Sequence, residues 1–448
     1  MSQSPDALPT TAPPGDWRLF SAEIRVSLAY VEALVAPGVL TATERDAVIS
    51  ALEQIKREFE QGIFKPADDD LFGALDERLS QIAPMESAKL NAARSRSEQT
   101  VTALRLWVMD ELDGLINALA DIQRALIQQA ETHLGTLMPG YTHMQPAGVV
   151  TVCHWLLSYF WMLARDQERL VSMIGRTSQC PMGSGAIGGI PYPLDRSSLA
   201  GVIGFADVTQ NSMDAIGDLD FGAELLFYVS LIGVHLSRLA EDFILYSNPA
   251  LGFVRVDDAY TVRSSALPAK RNPNAVERAR GKAGLILGDL AGFLATLKGL
   301  PSTYNQDTQE NRLALYHAVD TLKSMVKVME GVISTLQFFP ERMLKALDER
   351  VLMGDLADYL ISRGVSHREA FGVVEKLIAR AARAEKTLTE LPLADFEAES
   401  KAFDADVFAI FDFARAAAQR NVTGGTAPAA QRKQIRAALD WMVENGLE

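Results

Sequence analysis

The segment Arg263-Ser264-Ser265-Ala266-Leu267-Pro268-Ala269-Lys270-Arg271-Asn272-Pro273 sets two hydroxyls, a lysine and an amide into one short stretch broken by prolines. Proline removes a backbone donor and bars its predecessor from the helix, so the stretch is predicted to be a loop. A serine hydroxyl is a poor base unless positive charge or donors stabilise its alkoxide. Lys270 and Arg271 could supply that field, and Lys270 could hold a substrate carboxylate. The same residues also describe a solvated basic turn between two helices, and their chemistry alone leaves both readings open.

A second segment, Gly140-Tyr141-Thr142-His143-Met144-Gln145-Pro146, holds a histidine, the side chain that titrates nearest neutrality. Such a group can protonate a leaving nitrogen if a carboxylate holds its other ring nitrogen. Glu277, seven residues past Lys270, is the candidate partner. Taken alone, a histidine near a helix start is more often a structural hydrogen-bonder. The glycine-rich stretch Pro181 to Arg196 imitates a dinucleotide-binding loop. No strand precedes it and it carries prolines, so that reading fails its context.

These segments resemble the signature sequences of the fumarase/aspartase/argininosuccinate lyase superfamily. The first is similar to Gly-Ser-Ser-x-x-Pro-x-Lys-x-Asn-Pro, with Arg263 in place of the glycine. The second resembles Gly-Tyr-Thr-His-x-Gln of argininosuccinate lyases, and Gly183 to Arg196 resembles the segment that separates that family from fumarases. Asn211 to Phe221, Leu300 to Glu310, Asp355 to Leu360 and Gly424 to Pro428 match further family motifs, so the resemblance covers nearly the whole chain.

The resemblance implies an anti elimination that converts argininosuccinate to arginine and fumarate. Removing a proton beside a carboxylate creates a doubly negative aci-carboxylate, which needs cations and donors in place. By resemblance, Ser264 is the base and His143, oriented by Glu277, the acid. Lys270 and Asn272 stabilise the developing charge. Ser27, Ser95, Arg96, Ser97, Thr142, Gln145, Tyr304, Gln309 and Arg312 complete the substrate contacts, with Arg312 standing where the family has lysine. No cofactor and no metal are implied. The early motif departs most. Asn91-Ala92-Ala93-Arg94-Ser95-Arg96-Ser97-Glu98-Gln99 replaces His-Thr-Gly-Arg-Ser-Arg-Asn-Asp-Gln, and Asp69-Asp70-Leu71-Phe72 replaces Glu-Asp-Ile-His. These changes keep a second substrate open, another N-substituted aspartate or nitrosuccinate. A non-catalytic crystallin-like protein is the third reading, opposed by retention of Ser264, His143, Lys270 and Glu277.

Such residues must be carried by long helices. Ile24, Leu28, Val31 and Val35 recur at helical spacing, as do Leu104, Val108, Leu112, Leu115, Leu119, Ile122 and Leu126, and again Leu225 to Phe243. The run from Glu98 to Met138 lacks proline and predicts a helix about 50 Å long, more than a compact monomer needs. No alternating strand pattern stands out. The fold is expected to be all-α, with three domains: short helices over 1–95, a central long-helix bundle over 96–339 and short helices over 340–448. Continuous apolar seams suit completion by other subunits. The resemblance implies a homotetramer with a twenty-helix core and active sites drawn from three subunits.

Composition narrows the partners. A net charge of −14 argues against nucleic acid, and no uninterrupted apolar run approaches the roughly 18 residues of a membrane span. Two cysteines, Cys153 and Cys180, make no disulfide framework and fit a reducing cytoplasm. The proline-rich start, with neither a basic region nor an apolar core, is no secretory signal and is expected to be disordered.

Overall fold

The computed structural model describes residues 15–65, 70–92 and 94–447. The tail expected to be disordered lies outside these residues up to Pro14, as do Asp69 and Ala93 of the altered early motif. In chain order the first elements are α1 (Phe20–Ala33), α2 (Ala42–Glu60), α3 (Leu71–Ile82), α4 (Pro84–Ala92) and α5 (Arg96–Thr132). A hairpin follows, β1 (Leu137–Thr142) and β2 (Gln145–Thr151), then α6 (Val152–Thr177), β3 (Gln179–Cys180), α7 (Arg196–Ile203), β4 (Asp207–Val208), α8 (Ser212–Gly217) and α9 (Asp220–Ser247). Next come β5 (Val254–Arg255), β6 (Val262–Arg263), β7 (Arg271–Asn272), α10 (Asn274–Leu297), α11 (Asn311–Thr335) and β8 (Gln337–Phe338). The C-terminal helices are α12 (Pro340–Lys345), α13 (Met353–Ser362), α14 (His367–Arg383), α15 (Leu393–Glu399), α16 (Phe413–Gln419) and α17 (Pro428–Glu444). The all-α expectation holds.

The predicted seams are the buried faces. The seven apolar residues named from Leu104 to Leu126 are at most 2% exposed, and the seam of α9 is equally buried. At 37 residues, α5 is about 55 Å long. It stops at Thr132, short of the proline-free limit at Met138, because the chain turns at His133–Gly135 and enters β1. The strands correct the expectation that none would be found. Their alternation is hidden by Pro139, Gly140, Pro146 and Gly148, and packing secures the hairpin, with Val149 buried against Leu347, Leu352, Ala416 and Ala417.

The chain divides into two compact units: Met1–Ala118 with Arg165–Val234 and Gly281–Met325, and Leu119–Ala164 with His235–Arg280 and Val326–Glu448. In the first, Phe20 stacks on Phe59 at 3.8 Å and Trp107 meets Tyr316 edge-on at 4.9 Å. A side chain at Gly222 would come within 2.7 Å of the Phe293 ring, so this glycine lets α9 approach α10 closely. In the second, Phe396 is fully buried in a cluster with Leu356, Leu360, Val373, Leu377 and Phe403. Truncating such a residue costs about 3–5 kcal/mol.

By length and composition α9 is apolar enough to cross a membrane, although no unbroken apolar run of about 18 residues exists in it. Half of its most apolar window is buried, and Glu224 on its first turns binds Arg176 and Tyr228.

Candidate active site

The sequence-predicted residues fall into two groups, one in each unit. In the second unit, the segment predicted as a loop is the tip of a hairpin. Val262 pairs with Asn272 and Arg263 with Arg271. The Ser264 N–H donates to the Lys270 carbonyl at 3.0 Å, and the Lys270 N–H to the Leu267 carbonyl at 2.8 Å. The Leu267 N–H donates to Ser264 Oγ at 3.2 Å, so the hydroxyl has a donor aimed at the oxygen that would carry alkoxide charge. Ser264 and Asn272 are half-buried, whereas Lys270 is exposed and its ammonium has no partner among the described residues.

His143 lies in a turn between strands, not near a helix start. Thr142 pairs with Gln145, and His143 (φ 51) and Met144 (φ 58) form the two-residue connection. Two successive positive φ values belong to the turn whose twist matches a hairpin, and residues with a Cβ adopt them at a cost. The turn projects His143 to the exterior, beside a cavity of about 520 Å³ that Tyr141, Trp155, Asp242 and Tyr246 also line. Asp242 accepts from Trp155 Nε1 at 2.8 Å and from the Tyr159 hydroxyl at 2.6 Å. Glu277, in the first turn of α10, is exposed. No hydrogen bond joins it to His143 among the described residues.

In the first unit, Ser27 is buried, with its hydroxyl donating to Glu23 Oε1 at 2.8 Å and accepting from Arg94 Nη1 at 2.8 Å. Gln99 donates to the same Glu23 oxygen at 3.0 Å. Burial pushes the Glu23 carboxyl above the usual carboxylate range, and Arg94, Ser27 and Gln99 offset part of that push. Arg96 is exposed and binds Asp70 at 3.0 Å and Asp76 at 3.3 Å. Ser95 Oγ accepts from the Ser97 N–H at 3.3 Å, and the Ser95 N–H donates to Glu98 Oε1 at 2.8 Å. Phe72, standing where the family has histidine, is buried.

Tyr304 and Gln309 are brought together, Gln309 Nε2 donating to the tyrosine hydroxyl at 2.5 Å. Arg312 lies nearby in sequence but is buried, one amine donating to buried Asp16 at 2.6 Å. The motifs at 211–221 and 300–310 meet around a cavity of about 490 Å³ lined by Asn211, Asp214, Asp218 and Thr303. Gly217 makes that meeting possible, since a Cβ there would lie 2.8 Å from the Thr303 carbonyl oxygen.

Sequence reasoning passed over Glu23, Glu98, Asp16, Arg196 and Asp242. Glu98 was signalled, because Ser95-x-x-Glu98 before an apolar run is a capping-box sequence, of which the structure forms the Glu98 half. Arg196 closes the segment from Gly183 that carries the resemblance, and the other three have no local signature.

The chain is mostly helical, and two hairpin tips carry Ser264 and His143. The lyase family pattern matches residues 10–288, and the argininosuccinate lyase C-terminal pattern matches residues 351–418. Argininosuccinate lyase of Roseiflexus sp. (strain RS-1) is 45% identical over 425 residues, 94% of this chain and 93% of the relative. The enzyme of Herpetosiphon aurantiacus is 42% identical over 433 residues, 96% and 95% of the two chains. The crystal structure of EDDS lyase in complex with formate shares the fold with a TM-score of 0.86 at 24% identity, covering 98% of this chain and 92% of that one. The chain belongs to the argininosuccinate lyase family of carbon–nitrogen lyases.

Proposed function

We propose that the chain cleaves argininosuccinate to arginine and fumarate by anti elimination, as a cytoplasmic homotetramer with shared active sites. The observation that carries the reading is the signature hairpin. It holds Ser264 and Lys270 across one turn and points the Leu267 N–H at the Ser264 hydroxyl oxygen. Full-length similarity to argininosuccinate lyases supports the same substrate.

Ser264 removes the proton beside a carboxylate, with the Leu267 N–H and Lys270 stabilising the alkoxide that accepts it. Lys270 and Asn272 meet the charge that develops on the aci-carboxylate. His143 then protonates the leaving guanidinium nitrogen while Glu277 holds its ring. Since His143 and Glu277 make no hydrogen bond within one chain, their pairing belongs to the assembled tetramer. Thr142 and Gln145 hold the fumarate end. Ser27, Ser95, Arg96, Ser97, Tyr304, Gln309 and Arg312 bind the remainder, with Arg312 keeping donors beyond the one given to Asp16. Sections 1–95, 96–339 and 340–448 are the proposed domains, the middle one supplying the subunit contacts.

A second substrate, another N-substituted aspartate, is favoured by two particulars. Phe72 is buried where the family has a histidine, and Ser97 replaces an amide. Incubating the purified enzyme with argininosuccinate, while following fumarate absorbance and arginine release, tests the reading. No stoichiometric arginine and fumarate would overturn it.

A further inference from the structure

The first turn of α5 carries the residues proposed to read the substrate, and one carboxylate on that turn leaves the helix altogether. Glu98 is buried, and its Oε1 accepts from the Ser95 N–H at 2.8 Å, closing the helix start. Its Oε2 accepts from the Gly183 N–H at 2.9 Å and from the Gly185 N–H at 2.8 Å, far along the chain. Those two glycines have φ of 89° and 61°, and both are needed as glycine. A Cβ at Gly183 would lie 2.8 Å from the Arg196 side chain, and one at Gly185 would lie 2.5 Å from the Gly189 carbonyl oxygen. The glycine loop therefore presents its N–H groups to one carboxylate by construction, as a concave anion seat does.

Arg196 grips the same loop by its carbonyls. It donates to Met182 at 2.9 Å, to Cys180 and Thr209 at 3.1 Å, and to the Thr209 hydroxyl at 2.9 Å. Glu98 takes the N–H side and Arg196 the carbonyl side, so the loop is fixed from both.

We propose that Glu98 is a positioning residue, tying the substrate-reading turn Arg94–Ser97 to the Gly183–Gly185 loop so that the two are held as one piece. This rests on the argininosuccinate reading for its kinetic consequence, and on geometry alone for the coupling. Ser97 sits between Ser95 and Glu98, and Ser95 Oγ accepts from its backbone. Loosening Glu98 therefore frees the donors of Ser95, Arg96 and Ser97 together.

The test uses the full-length enzyme with Glu98→Gln, Glu98→Asp and Arg196→Lys, by steady-state kinetics and peptide-level hydrogen exchange. Glu98→Gln keeps the shape and one acceptor but weakens the charge-assisted bonds. It should raise KM for argininosuccinate about tenfold while kcat falls less, the size expected for one charge-assisted hydrogen bond. Glu98→Asp keeps the charge and should recover part of the loss. Arg196→Lys, which slackens the loop from the other side, should raise KM in the same sense. In Glu98→Gln, exchange should quicken in 94–97 and in 183–189 together. A folded Glu98→Gln enzyme with unchanged KM, even if less heat-stable, would mean a purely structural carboxylate and would overturn the proposal. So would exchange that quickens in one segment alone. If the parent enzyme fails to cleave argininosuccinate, the substrate reading falls by itself, and the exchange experiment still decides the coupling.

Discussion

Replacing Arg312 by methionine removes the charge that pairs with Asp16, a side chain fully buried in the first unit. The guanidinium reaches Asp16 Oδ2 at 2.6 Å, and the two side chains are 4% and 0% exposed. Salt does little to screen a pair so deeply placed, and breaking such a pair from one side costs about 3–5 kcal/mol. Asp16→Leu should cost a similar amount, because it strands the arginine instead. Changing both residues, Asp16→Leu with Arg312→Met, should recover most of the loss, since an apolar pair of similar volume is often neutral. The cycle should therefore show a coupling of at least about 2 kcal/mol. Urea unfolding at one fixed protein concentration reads it, the concentration being held because assembly contributes to apparent stability. Additive single effects, or single losses under about 1 kcal/mol, would refute the reasoning. Kinetics on Arg312→Lys then separates structure from substrate binding. A point cation holds Asp16 less well than a fork does, so a KM that rises while stability falls only slightly assigns the fork to the substrate.

Four other outcomes are expected. Ser264→Ala should lose at least about a hundredfold in turnover with an unchanged unfolding midpoint, since the hydroxyl accepts only one N–H; near-normal turnover in folded enzyme would remove Ser264 as base. Burial raises the Glu23 carboxyl in the folded state, so the stability it contributes is full below the unfolded value near 4.3 and is lost as pH rises through its folded value. Glu23→Gln should accordingly gain on the parent as pH is raised from 4 to 7 in urea titrations, and a flat or falling difference would contradict the shift. Ser97→Asn should raise argininosuccinate turnover if the parent prefers another substrate and be neutral or harmful if it does not, whereas Phe72→His buries a polar ring and should lower the melting temperature in either case. Light scattering should give a tetramer, because exposed Phe227, Leu285 and Leu294 make a lone chain carry apolar surface; an active monomer would sink the shared-site reading.

Much of this fold was legible because its helices are long and their seams regular. Leu104 to Leu126 and Leu225 to Phe243 repeat at helical spacing for several turns, and those residues are buried. The two hairpins that carry His143 and Ser264 were legible as chemistry but not as structure. The strands around Ser264 are two residues long, and those around His143 are interrupted by prolines and glycines and secured by the packing of Val149 rather than by alternation. The Ser-x-x-Glu sequence at Ser95–Glu98 was readable as a helix start, yet the partners of the second Glu98 oxygen were not, because Gly183 and Gly185 lie 85 and 87 residues away. The Asp16–Arg312 pair spans 296 residues, and no local pattern announces such a contact. Motif matching gave Arg312 to the substrate; burial gives it a second obligation.

The hairpin of β6 and β7 has one more consequence. Two residue pairs form its neck, and Ser264 and Lys270 face each other just beyond it, joined through backbone atoms. Any tilt of the neck therefore carries the Ser264 and Lys270 backbones along one arc. The protein need not tune two approaches to a substrate, because it has only one lever to set. Substitutions at Val262 would tilt the pair as a unit, while those at Leu267 or Pro268 would change how the pair is spaced.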